Sequence, residues 1–276
     1  MIIRNQNINQ GQLHGVVSGA DAQGREISAD AWRKFLAHDP DKIQRPDRVL
    51  KREGKNSVFV KERVLTGIDV VVKTHVNSSK FEIFKPTRAF KNYRTAAKLN
   101  EFGIACEYPL GGFVRREGLF KTVSVYMTQY VSDSDNLKNV LKAGQRFTFK
   151  DRRSMAAQIA EIFAGLHEAG YWHRDAKNTN MLVYKNENGF KVQLIDLDGV
   201  HRYLPGLSHL FRYRAMVTLA ASLLPFKQVT PTDYLRCLAL YCNLTGLGHN
   251  RRKDIFKELA AMVQARFKQR QARYGR

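Results

Sequence analysis

Cysteine is scarce in this chain: Cys106, Cys237 and Cys242 are the only three, and no two of them form a CxxC pair. An odd number without ligand spacing excludes a disulfide framework and a cysteine zinc site, and it suits a reducing compartment. Long apolar runs are missing too. The longest, MVTLAASLLPF at 216–226, is too short to span a bilayer, and the opening MIIRNQNINQ lacks the apolar stretch of a secretion signal. A soluble, cytoplasmic protein is expected. Acidic residues are few, 25 against 46 Lys and Arg, for a net charge of +21. That excess favours polyanionic partners, namely nucleotide phosphates, nucleic acid or an anionic membrane face, although any single Lys or Arg is more simply a solvated surface charge. Internal repeats and long low-complexity linkers are also missing, which excludes solenoids and arrays.

What is present suffices for one large domain or two lobes, since 43% of the 276 residues are apolar. Residues 1–46 are polar and rich in Asn, Gln and Gly, with one short helical candidate at 29–39; they read as an arm or as a cap on the first sheet. Residues 47–131 read as a β-rich lobe. RVLKRE, SVFVKERVL and IDVVVKTHV predict three antiparallel strands with a turn at Thr66-Gly67, and GGFVRR and KTVSVYMTQYV two more. Between them TRAFKNYRTAAKLNEF predicts a helix, with Pro86 before it and Gly103 after it. Residues 132–276 read as a mostly helical lobe. Its first long helix opens with a T-x-x-D capping signature at Thr148 and places Met155, Ile159, Ile162, Phe163 and Leu166 on one face.

The chemistry concentrates in YWHRDAKNTNMLVYKNENGFKVQLIDLDGV, residues 171–200. Charged groups beside strand-like apolar runs are costly unless they are used. HRD, four intervening residues and an Asn, then a strand, a turn and a strand ending in Asp is the order that phosphoryl transfer needs. Asp175 is placed to take the proton of an acceptor hydroxyl. Asn180 and Asp196 offer oxygen ligands suited to Mg²⁺, with Asp198 as an auxiliary acid. Lys177 can offset charge on the transferring phosphoryl group, and His173 can aim the loop. Taken singly, HRD could end a helix and D-x-D could be two surface acids; the order and spacing make the set specific. VVVK supplies Lys73 for the α and β phosphates of ATP. REGKNSVF offers one glycine, Gly54, with Lys55, Asn56 and Ser57, as a weak phosphate loop.

The order VVVK, TRAFKNYRTAAKLNEFGIACEYPLG, LHEAGYWHRDAKNTNMLV and LIDLDGV resembles the lipopolysaccharide kinase (Kdo/WaaP) family of the protein-kinase-like superfamily, over roughly residues 48–245. The resemblance implies an α+β, bilobal fold with a five-stranded antiparallel sheet and one helix in the first lobe. It also implies use of ATP and Mg, with a Kdo or heptose of the lipopolysaccharide core as acceptor, at the inner face of the inner membrane of a Gram-negative bacterium. D-L-D stands where most protein kinases carry D-F-G, and no A-P-E segment follows, which argues against a regulated protein kinase. The family's helix usually carries a Glu for the strand lysine. Here Asn92 stands in that place, with Glu82 and Glu101 as alternative partners.

Two other readings share this sequence. One keeps the fold with a protein or small-molecule hydroxyl as acceptor; the other is a non-catalytic scaffold or nucleic-acid binder. The intact HRD, Asn and Asp set argues against a scaffold, and the lack of an aromatic-basic RNA motif argues against nucleic acid. Residues 250–276 place Phe256, Leu259, Val263 and Phe267 at helical spacing among nine basic residues, a helix that could lie on an anionic bilayer or simply pack on the lobe. His201, Arg202, Arg212 and Arg214 are candidates to face an anionic sugar.

Overall fold

The computed structural model describes residues 5–10, 13–37, 46–65, 67–77, 87–117, 121–203, 208–247 and 252–274. Thr66, Glu82 and Pro86 lie outside the described residues. The chain divides into two compact units, Met1–Glu101 with Cys106–Val131, and Phe102–Ala105 with Ser132–Arg276.

The first unit is built on one antiparallel sheet. Its strands are β1 (Asn5–Gln10), β2 (Leu13–Ser18), β3 (Arg48–Glu53), β4 (Asn56–Val64), β5 (Ile68–Asn77), β6 (Pro109–Arg116) and β7 (Thr122–Gln129). They lie in the order β1-β2-β6-β7-β5-β4-β3. The five strands expected from alternating apolar residues are all there, but the sheet has seven strands, not five. The additional pair comes from the polar first residues: β1 holds one apolar side chain, Ile8, so only pairing with β2, and of β2 with β6, reveals it as a strand. Helix α1 (Ala29–Ala37) buries Trp32 completely, against Phe113 and with its indole N–H donated to Ser18 O at 3.0 Å.

Helix α2 (Arg88–Glu101) packs on β6 and β7. Its buried side chains are small apart from Tyr93 and Leu99, and the close approach depends on Gly112, where a Cβ would stand 2.9 Å from Ala89 O. Lys73 lies in the interior of the sheet, on β5 between Val58 of β4 and Tyr126 of β7. It is therefore not an edge-strand lysine.

The second unit is mainly helical: α3 (Leu137–Lys142), α4 (Phe149–Glu168), α5 (Ser208–Leu223), α6 (Pro231–Leu244) and α7 (Arg252–Tyr274). Thr148 accepts from Asp151 N–H while Asp151 accepts from Thr148 N–H, which closes a reciprocal cap at the start of α4. Every residue assigned to the apolar face of α4 is buried, and Ile162 and Leu166 are each worth about 1.5–3 kcal/mol of transfer free energy. Thr230 and Asp233 form the same cap on α6. The short strands β8 (Ser134–Asn136), β9 (Tyr171–His173), β10 (Met181–Asn186), β11 (Gly189–Leu194) and β12 (Val200–Arg202) form a three-stranded sheet, β11-β10-β8, and a two-stranded one, β12-β9. Ile255, Leu259 and Val263 of α7 are buried, and the helix packs on α5 and α6. Of the stripe read from the sequence, Leu259 and Val263 are buried, while Phe256 and Phe267 are only half-buried. Among the described residues no helix is long and apolar enough to cross a membrane.

Candidate active site

Two short β-pairings assemble the polar residues of the second unit. In the β10–β11 hairpin Met181 faces Leu194, and one step beyond the ladder Ile195 N–H donates to Asn180 O at 2.9 Å. That register places Asn180 beside the Ile195-Asp196 step. In the second pairing His173 faces Val200, and Arg174 N–H donates to Gly199 O at 2.8 Å, so HRD runs alongside D-x-D-G. Residues distant in sequence meet because two antiparallel registers, the β10–β11 hairpin and the β9–β12 pair, bring them together.

His173 ties the two segments. Asp175 N–H donates to its Nδ1 at 3.1 Å, which makes Nδ1 the acceptor and Nε2 the protonated nitrogen, 3.2 Å from Asp196 O. Burial lowers the His173 pKa and outweighs the raising effect of Asp196, so the ring is held neutral, as this tautomer requires. A side chain at Gly199 would meet this ring: a Cβ there would stand 2.7 Å from His173 Cε1 and 2.9 Å from Nδ1. Asp196 adopts a left-handed backbone, φ 64 and ψ 65, a costly state for a residue other than glycine and one that concentrates at functional sites.

The Asp175 carboxylate is half exposed and receives Lys177 Nζ at 2.6 Å. Asn180 is buried and donates its side-chain N–H to Asp175 O at 2.8 Å. Its amide oxygen, 3.3 Å from the Thr179 hydroxyl, is thereby the atom left to accept or to ligate. The donor set of Asn180 amide oxygen and Asp196 carboxylate is all oxygen, which fits a hard divalent cation such as Mg²⁺. Among the described residues no three of His, Cys, Asp or Glu group as a metal site. Asp198 is half-buried in the turn after Asp196.

Sequence reasoning missed the support of this loop. Asn178 donates its backbone N–H to Ser222 Oγ at 2.9 Å and its side-chain N–H to Ser222 O at 2.7 Å, locking the loop to α5. Nothing in the spacing of Asn178 and Ser222 announces this bond. Of the four basic candidates for the acceptor, Arg202 and Arg214 are exposed. His201 lies over Trp172, and Arg212 faces the hydroxyls of Tyr203 and Tyr241 inside the unit.

In the first unit Lys73 Nζ pairs with Glu107 Oε2 at 2.6 Å and lies 5.7 Å above the Tyr126 ring. Asn92 is buried on α2. Gly54, with φ 51, and Lys55 make a two-residue turn between β3 and β4, while Asn56 and Ser57 lie within β4. Asn56 Oδ1 is 2.7 Å from His75 Nδ1, and Lys55 O accepts from Val76 N–H. This is a tight hairpin, not a glycine-rich loop.

Comparisons with known proteins bear on the fold and the family. The chain is 28% identical over 154 residues to the dual specificity protein kinase zakA of Dictyostelium discoideum, covering 54% of this chain and 16% of that one. It is 23% identical over 150 residues to the 3-deoxy-D-manno-octulosonic acid kinase of Pasteurella multocida (strain Pm70), covering 51% and 60% respectively. The chain thus spans less than two thirds of each of these relatives. A solved structure, WaaP in complex with acyl carrier protein, shares the fold with a TM-score of 0.62 at 18% identity, over 88% of this chain and 97% of that one. The fold is therefore kinase-like. The model of the lipopolysaccharide kinase (Kdo/WaaP) family matches residues 54–241, more than half of the chain, and the chain belongs to that family.

Proposed function

We propose that this protein transfers the γ-phosphate of ATP to a hydroxyl of a lipopolysaccharide inner-core sugar, a Kdo or a heptose. The observation that carries the reading is the pair of antiparallel registers that sets Asn180 beside Asp196 and, through His173, ties Asp175 to Asp196. Family membership and the relative that acts on 3-deoxy-D-manno-octulosonic acid support the acceptor class. Asp175 accepts the proton of the attacking hydroxyl. Lys177, already on its carboxylate, supplies positive charge where the phosphoryl group passes, and Lys73 holds the α and β phosphates. Asn180 and Asp196 would hold Mg²⁺, with Asp198 in support. The ion supplies charge neutralisation for the phosphates.

The protein would work as a peripheral enzyme at the inner face of the inner membrane. Ile255, Leu259 and Val263 of α7 are buried, and attraction there rests mainly on charge, through exposed residues such as Lys253, Lys257 and Lys268. One specific feature favours an additional partner. An apolar cavity of about 310 Å³ lies within the second unit, lined by α4, α5, α6 and α7 and including Met155, Phe163, Leu223 and Leu259. Its size and lining suit an aliphatic chain, and WaaP has been solved with acyl carrier protein, so an acyl-bearing carrier is a candidate partner.

The reaction is tested by incubating the protein with Mg-ATP and Kdo-lipid A, a heptosylated core or a generic protein, and following the acceptor by mass spectrometry. A gain of one phosphate on a core glycolipid is expected. Transfer to the protein acceptor alone would replace the sugar reading with that of a protein kinase.

A further inference from the structure

Helix α2 offers Lys73 no carboxylate from its packed face. Its buried side chains are Ala89, Asn92, Tyr93, Ala96, Ala97 and Leu99, and its acid, Glu101, stands at the last residue, paired with Lys98 at 3.1 Å. The partner comes from elsewhere. Glu107 lies in the segment between α2 and β6, with only 4% of its side chain exposed, and its Oε2 is 2.6 Å from Lys73 Nζ. A carboxylate so deeply buried is tolerable only when a cation and hydrogen bonds compensate it.

The segment that carries Glu107 is fastened on both sides. Asn100 donates its side-chain N–H to Glu107 O at 3.2 Å and to Cys106 Sγ at 3.2 Å. The next carbonyl, Tyr108 O, accepts from Gln129 N–H at the end of β7 at 3.0 Å. Lys73 is fastened as well, in the sheet interior opposite Tyr126 of β7. Lys73 thus hangs on the sheet, while the Glu107 segment is held both by β7 and by Asn100 at the end of α2. In protein kinases the equivalent Glu rides on the helix, and the position of that helix controls whether the pair forms.

We propose that Glu107 is the residue that positions Lys73 for the nucleotide phosphates, and that it does so from the segment that follows α2 and not from the helix itself. The proposal rests on the reading of Lys73 as phosphate anchor. Glu107 touches no substrate in this scheme; it acts through Lys73.

Steady-state turnover of Mg-ATP with Kdo-lipid A as acceptor tests it, in wild type, Glu107→Gln, Glu107→Asp, Glu101→Gln and Lys73→Met. Glu107→Gln should lower kcat by about 10–100-fold, the rate equivalent of a charged hydrogen bond, with KM for the glycolipid unchanged. Glu107→Asp, which keeps charge in the buried position and withdraws it by one methylene, should fall between wild type and Glu107→Gln; it also serves if the Gln variant does not fold. Glu101→Gln should keep wild-type turnover. Adding Glu107→Gln to Lys73→Met should cost nothing further, a result that a purely structural Glu107 would not give. Wild-type kcat in folded Glu107 variants, or a full additional loss on top of Lys73→Met, would overturn the proposal. Full activity of Lys73→Met would overturn it differently, by removing the anchor itself, and the single variant alone tells these failures apart.

Discussion

Replacing Gly199 with alanine should disturb the loop that carries Asp175 through one added methyl group. The new Cβ would stand 2.7 Å from His173 Cε1 and 2.9 Å from Nδ1, closer than real Cβ contacts come, and the ring is 1% exposed, with little room to retreat. Overpacking of this kind costs about 1–3 kcal/mol. Displacing the ring also strains its bonds to Asp175 N and Asp196 O, each worth about 0.5–1.5 kcal/mol. A total of roughly 2–4 kcal/mol is expected, measured as the shift in urea midpoint at constant slope. The decisive assay is a double-mutant cycle with His173→Ala, which empties the space the methyl needs. In that background Gly199→Ala should cost less than about 0.5 kcal/mol. An equal cost with and without the imidazole would refute the steric argument and move the role of Gly199 to the backbone.

Other expectations follow from the same contacts. Asn178→Ala removes the side-chain bond to Ser222 O and strands a buried carbonyl, so stability should fall by about 1–3 kcal/mol and kcat should drop while Mg-ATP affinity, read by calorimetry, holds. Burial lowers the pKa of His167 to about 3 and also lowers that of His173. Both rings are neutral in the folded protein but gain protons near pH 6.5 when unfolded, so stability is unaffected above that pH. Below it, down towards pH 3, stability should fall by about 1.4 kcal/mol per unit for His167 alone. Denaturant titrations at pH 7.5 and 5.5 check this, and His167→Phe should flatten the slope. Binding to anionic vesicles should weaken as salt rises, and a Lys253→Gln, Lys257→Gln, Lys268→Gln variant should lose about 1 kcal/mol per charge at low salt. Binding that survives high salt would mean that apolar residues enter the bilayer instead.

Much of this was legible in the chain because its local signals agree with its global fold. The strands β3 to β7 follow from alternating apolar residues, and α4 follows from its cap and its buried face. That Asp175, Asn180 and Asp196 come together is legible because their segments are close in sequence and fixed in order. Strands β1 and β2 escaped notice because a polar edge strand such as NQNINQ has no apolar period, and the pairing of β2 with β6 spans about a hundred residues. Glu107 escaped for a related reason. Its place opposite Lys73 is set by sheet register and by the path of the segment after α2, and neither leaves a spacing that a motif can capture. The support of the loop by Asn178 and Ser222 is equally non-local. The polar face of α7 reads as a membrane element from composition, yet its apolar side is needed for the core.

The most direct test of the account is the rate of phosphate transfer from Mg-ATP to Kdo-lipid A by Asp175→Asn beside wild type, with nucleotide affinity measured in parallel. If Asp175 is the base, transfer should fall by about 10²–10⁴-fold while Mg-ATP binds as before. Transfer at the wild-type rate by a folded Asp175→Asn protein would contradict the assignment of this loop as the catalytic centre.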